Sequence, residues 1–234
     1  MRRYAQGSSK EHSQFCESVD EAAFSRLRRA AALCLAFAIA GVAWSAPDDD
    51  YRRGEQAYRG GDVVAAMAAL RRAADAGHAP SQVLLGDILD QAEFDDEALA
   101  WYRKAAEQGN AAGEYSVGGI YFSGEGVKQD LVQAYFWFLR AAEKKYGPAT
   151  IALANAYIRA ERGEIQVGPD KSFAADWLRK AAALDYLPAL EALAQAHRVG
   201  GYGLTPDAAQ ADRYLTQVEA LKKKGSPDKG KKKR

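Results

Sequence analysis

The group Trp-x-x-Arg/Lys-Ala-Ala returns along the chain at Trp101, Trp137 and Trp177, and weaker copies begin at Ala69 and Tyr214. The intervals between these anchors are 32, 36, 40 and 37 residues. A period of this length marks stacked supersecondary units, none of which buries its apolar face alone. It points to a quasi-one-dimensional array, an architecture that generally presents surface to partners rather than a single reaction centre.

Charge is unevenly spread over the 234 residues. The formal net charge is +1, but residues 1–43 carry +2 and residues 222–234 carry +7, leaving −8 on the stretch between them. An acidic body excludes nucleic acid as the expected partner, because phosphate binding requires a basic face. The Lys222–Arg234 run reads as a disordered solvated tail able to make weak contacts with an anionic surface.

Residues 26–46 read as an export signal. Arg26, Arg28 and Arg29 precede an uncharged apolar run, Ala30 to Ala43, of 14 residues. As a helix the run spans roughly 21 Å, short of the ~30 Å hydrocarbon core. Small residues fit cleavage after Ala43 or Ser45. The expected location is therefore periplasmic or secreted, of bacterial type. The alternative is an inner-membrane anchor through an uncleaved Ala30–Ala43. Both cysteines, Cys16 and Cys34, lie before the expected cleavage, so the mature chain carries no disulfide.

The repeat is clearest over residues 111–147. A helix with small residues, AAGEYSVGGIYFS, leads through GEGVKQD into a second helix, LVQAYFWFLRAAEKK. Gly113, Val117 and Tyr121 form one buried stripe of the first helix. Gly118 lets the second helix approach closely, and Asp130 caps that helix. Ala134 and Ala141 make room for a buried Trp137. This pattern closely resembles the Sel-like repeat (SLR), a branch of the tetratricopeptide-repeat superfamily. Gly113, Val117, Gly118, Tyr121, Gly124, Gly126, Val127, Asp130, Ala134, Trp137, Arg140, Ala141 and Ala142 stand at the signature places in order. The units beginning at Ser81, Ala149 and Ala189 keep part of it. The resemblance implies an all-α fold, a right-handed α/α solenoid of about five antiparallel helix pairs over residues 47–221. An N-terminal extension and signal occupy 1–46, and the basic tail 222–234. The signature residues are structural in that family, so the resemblance carries over a fold and not a site.

Chemistry is hard to place. His12, His78 and His197 show no metal-ligand spacing, and Ser226-Pro-Asp-Lys229 matches a nucleophile string only inside the charged tail. Asp48-Asp49-Asp50 reads as a solvated linker and Asp95-Asp96 as a helix start. No catalytic residue, cofactor or metal is expected. The informative positions are those on the first helices that face away from the buried stripe: Asp87 and Gln91; Tyr115, Gly119 and Phe122; Ile151, Asn155 and Ile158; Gln195 and Arg198. Apolar residues there either pack between adjacent repeats or form a strip for a partner peptide or helix. The long fourth turn, Glu161 to Gly168, is a second candidate contact. The expected function is an exported protein–protein interaction scaffold helping to assemble or regulate an envelope complex. The alternatives are a cell-wall-directed enzyme (β-lactam or peptidoglycan) and a membrane-anchored assembly factor.

Overall fold

A computed structural model describes residues 46–166 and 171–225. The expected signal, Cys16, Cys34, His12, the Ala30–Ala43 run, and tail residues 226–234 lie outside the described residues.

Among the described residues ten helices make five antiparallel pairs: α1 (Pro47–Arg59) with α2 (Val63–Asp75), α3 (Ala79–Gln91) with α4 (Asp95–Glu107), α5 (Ala111–Ser123) with α6 (Leu131–Glu143), α7 (Gly147–Glu161) with α8 (Ala174–Ala182), and α9 (Leu187–Val199) with α10 (Ala208–Gly225). A 3-10 turn, Lys171–Phe173, leads into α8. Each helix packs on its neighbours in chain order, and the opening helices also touch across pairs, as α3 with α5 and α7 with α9. Among the described residues there is no strand, so the helical-repeat solenoid expected from the sequence is the fold.

The eighth residue of each opening helix sets how closely a pair closes. It is Gly54, Gly86 or Gly118 in the first three pairs and Ala154 or Ala194 in the last two. A Cβ on Gly54 would lie 2.5 Å from Leu70, on Gly86 2.5 Å from Tyr102, and on Gly118 2.7 Å from Phe138. The partner side chain is each time the residue after the motif anchor. Those residues, Leu70, Tyr102, Phe138 and Leu178, are all buried. Trp101 and Trp177 are buried as well, but Trp137 is only half-buried, with the Arg140 guanidinium 4.9 Å from its ring. The expectation of a buried Trp137 is thereby corrected: the residue after it, Phe138, lies over Gly118, and Trp137 lies at the margin.

Buried polar groups concentrate at one register, the fourth residue of the opening helices. Asp50, Gln82, Glu114 and Thr150 are all buried there, with Leu190 in the last pair. Asp50, expected in a solvated linker, is instead in the first turn of α1 and accepts from Arg72 at 2.7 Å. Glu114, fully buried, meets Arg140 at 2.8 Å and Lys144 at 2.6 Å. The motif's basic residue thus crosses to an acid wherever register four supplies one. Where it does not, Lys104 and Lys180 lie over their own indoles, 3.6 Å from Trp101 and 3.7 Å from Trp177.

Caps follow their sequence signals. Asp62, Asn110 and Asp130 accept from the first-turn amides of α2, α5 and α6. The last helix continues to Gly225, beyond the boundary at 221, and Lys222 donates to Glu191 at 2.7 Å.

Gly118 and its neighbour Gly119 separate packing from propensity. Gly118→Ala drives a methyl into Phe138 and is expected to cost about 1–3 kcal/mol. A Cβ on Gly119 meets nothing within 4 Å, so Gly119→Ala should stabilise by about 0.5–1 kcal/mol through helix propensity. Urea unfolding followed by circular dichroism measures both.

Candidate functional site

The face expected to carry function is built from registers five, nine and twelve of the opening helices. In the middle of the stack these are Tyr115, Gly119 and Phe122 on α5 and Ile151, Asn155 and Ile158 on α7. All six line one cavity of about 640 Å³, closed by Phe138 of α6 and by Pro188 and Glu191 of α9. The floor is aromatic. Tyr115 lies 5.5 Å from Phe138 and 5.5 Å from Tyr146, and Phe122 lies 6.4 Å from Phe138, ring centroid to ring centroid. Both rings are half-buried, one part of each held by the core and the rest turned to the cavity.

Ile158 differs from this picture. At 6% exposure it packs in a buried cluster with Leu178 and Leu190 and reaches the cavity only at its edge. Its apolar character is explained by contact between pairs. Asn155 accepts from the Tyr186 hydroxyl at 2.7 Å, which fixes its carboxamide at the cavity wall.

The polar members of the expected set lie toward the ends. On α3, Asp87 accepts from the Tyr102 hydroxyl at 2.9 Å and Gln91 from the Tyr58 hydroxyl at 2.7 Å. Gln195 lines an adjoining cavity of about 290 Å³ that shares Ile158, Arg162, Pro188 and Glu191 with the main one. Arg198 is exposed on α9 and lines neither. Six expected positions thus come together, Gln195 is continuous with them, and Asp87, Gln91 and Arg198 flank them.

Sequence reasoning missed the cavity's charged residues. Arg159 stacks 5.5 Å from the Phe122 ring centroid and pairs with Glu164 at 3.1 Å. Arg162 approaches the same carboxylate at 3.8 Å. Their signal was present: Arg159 and Arg162 fall in the last turn of α7 and just after it, beside Ile158. In the described part of the enlarged fourth turn, Ile165 and Gln166 line a small pocket together with Phe122, Leu131 and Leu153.

Burial raises the Asp87 and Asp90 carboxyls above the usual carboxylate range, and nearby acids add to this, Asp90 for the former, Glu125 and Asp95 for the latter. A raised folded-state pKa means the folded chain holds that proton more tightly than the unfolded chain. The associated stability is present at low pH and is lost as pH rises through the folded value. Asp87→Asn keeps an acceptor for Tyr102 and cannot ionise. It is expected to raise the thermal midpoint at pH 7, with the gain over wild type disappearing near pH 4, as read by calorimetry across that range.

The repeat and these distances can now be set beside known proteins. The Sel1 repeat profile matches residues 95–110, 111–146 and 148–186, the stretch from α4 through the end of α8. Among solved structures, the chain is similar to a protective antigen present in uropathogenic Escherichia coli strains displaying an SLR fold. The two are 27% identical with a TM-score of 0.66, over 75% of this chain and 38% of that one. A Sel1 repeat protein from Oxalobacter formigenes is 24% identical with a TM-score of 0.62, over 75% of this chain and 73% of that one; it speaks for the fold alone. This chain therefore spans well under half the length of the antigen it matches. No curated protein matches it.

Proposed function

We propose that this Sel1-repeat protein is a scaffold that seats a segment of another polypeptide on its opening-helix face, in the cavity between α5, α7 and α9. One observation carries the reading. At register nine the stack has Glu55, Asp87, Asn155 and Gln195, but Gly119 in the third pair, where a side chain would meet nothing. A glycine needed for close helix approach has a neighbour in its way, as Gly118 does. Gly119 has none, and its effect is to leave the aromatic floor open.

The protein acts by holding rather than by reacting, outside the cytoplasm of a bacterium. Support for export comes from Arg26, Arg28 and Arg29 ahead of the Ala30–Ala43 run, and the similar solved structures include bacterial proteins. Among the described residues no helix is long and apolar enough to cross a membrane.

A photo-crosslinking residue at position 119, compared with one at Phe136 on the outer side of α6, tests the seat in the native cell. A discrete adduct from 119 alone is expected. Equal adducts from both positions, or none from 119, overturn the reading. Mass spectrometry of the native N-terminus should find it at Trp44 or Ala46; a chain still carrying Ala30–Ala43 would indicate an anchor instead.

A further inference from the structure

The opening-helix face changes charge along the stack. On the α3 side, Asp87 and Asp90 occupy registers nine and twelve, with Asp95 and Glu125 close to Asp90. Glu55 on α1 is already paired with Arg59 at 2.7 Å. The middle, registers five, nine and twelve of α5 and α7, is uncharged: Tyr115, Gly119, Phe122, Ile151, Asn155, Ile158. Toward the α9 side stand Arg162 and Arg198, and Arg159 of α7 reaches back over Phe122. The acids there are Glu164, shared by Arg159 and Arg162, Glu191, held by Lys222 at 2.7 Å, and Glu161 on the adjoining cavity. With Lys222 counted, four cations face three carboxylates at this end, whereas at the α3 end Asp87, Asp90, Asp95 and Glu125 stand beyond the Glu55–Arg59 pair.

We infer that the occupant is a polypeptide segment ordered basic, apolar, acidic: cationic residues over Asp87 and Asp90, apolar residues in the cavity, and carboxylates at Arg159, Arg162 and Arg198. The inference rests on the scaffold reading above and adds the partner's chemistry and its orientation. Complementary charge at two ends of an apolar seat fixes register and rejects segments of a single sign. From α3 to α9 is three helix steps of about 8–10 Å each, a span that roughly nine extended residues cover. Burial first, and then neighbouring acids, raises the Asp87 and Asp90 carboxyls, and a cation placed there would favour their charged forms.

The test uses labelled peptides with one shared apolar core of leucine and phenylalanine, titrated into the purified full chain by fluorescence anisotropy. The flanks are two lysines at one end and two glutamates at the other, in both chain directions, or lysines at both ends, or glutamates at both. One mixed peptide should bind about tenfold more tightly than either single-sign peptide, the sum of several modest exposed pairs. Asp90→Lys should move the preference to the glutamate-only peptide, and Gly119→Phe should abolish binding of all while melting within a few degrees of wild type. If single-sign peptides match the mixed ones, or Asp90→Lys leaves the preference unmoved, while Gly119→Phe still abolishes binding, the charge order is overturned and the seat stands. If no peptide binds, or Gly119→Phe changes nothing, the seat falls and the charge order with it.

Discussion

Everything in this stack depends on one close approach, a bulky side chain laid over a residue with no side chain. Leu70 over Gly54, Tyr102 over Gly86 and Phe138 over Gly118 bring the two helices of each pair together. The fourth pair sets Leu178 and Ala154 in the same registers, with a methyl where the first three pairs have none. Because interiors are close-packed, that methyl is felt by the helix facing it. The pair geometry then sets how the next pair docks, and the dimensions of the opening-helix face follow from it.

The repeated basic residue illustrates how one motif position takes two physical roles. Arg72 and Arg140 reach across to Asp50 and Glu114, while Lys104 and Lys180 stay on their own indoles. Burying a carboxylate is costly unless it is paired, so an acid at register four recruits the cation. Without that acid, the ring face is the better site. Glu114 engages two cations through one oxygen, and among the described residues its other oxygen has no hydrogen-bond partner.

Helix number, pairing and the Asp130 cap were legible in the sequence, because periodicity and turn chemistry are local properties. The α5 limits were read to the residue. Two misreadings and one undecided position have one cause. Asp50 looked like linker because its partner, Arg72, is 22 residues away. Trp137 looked like core because its type favours burial, while Phe138 beside it holds the inward angle. Ile158 stayed open between packing and partner contact because Leu178 and Leu190, which it packs with, lie on two other helices, α8 and α9. Each depends on contacts between elements, which spacing along one helix does not report. The cavity was half visible: its apolar members broke the pattern of an outward face, but its width depends on an absence at Gly119.

The connections between pairs place the next helix by a left-handed residue, which is Gly77 and Gly109 early in the chain but Lys145 and Asp185 later. Residues with a side chain hold that conformation at a cost. Those two bracket the fourth pair, whose α8 is the shortest α-helix among the described residues and is entered through a 3-10 turn. The fourth pair, which carries the α7 wall of the seat, is thus bounded at both ends by junctions that bear a backbone cost the two earlier junctions do not.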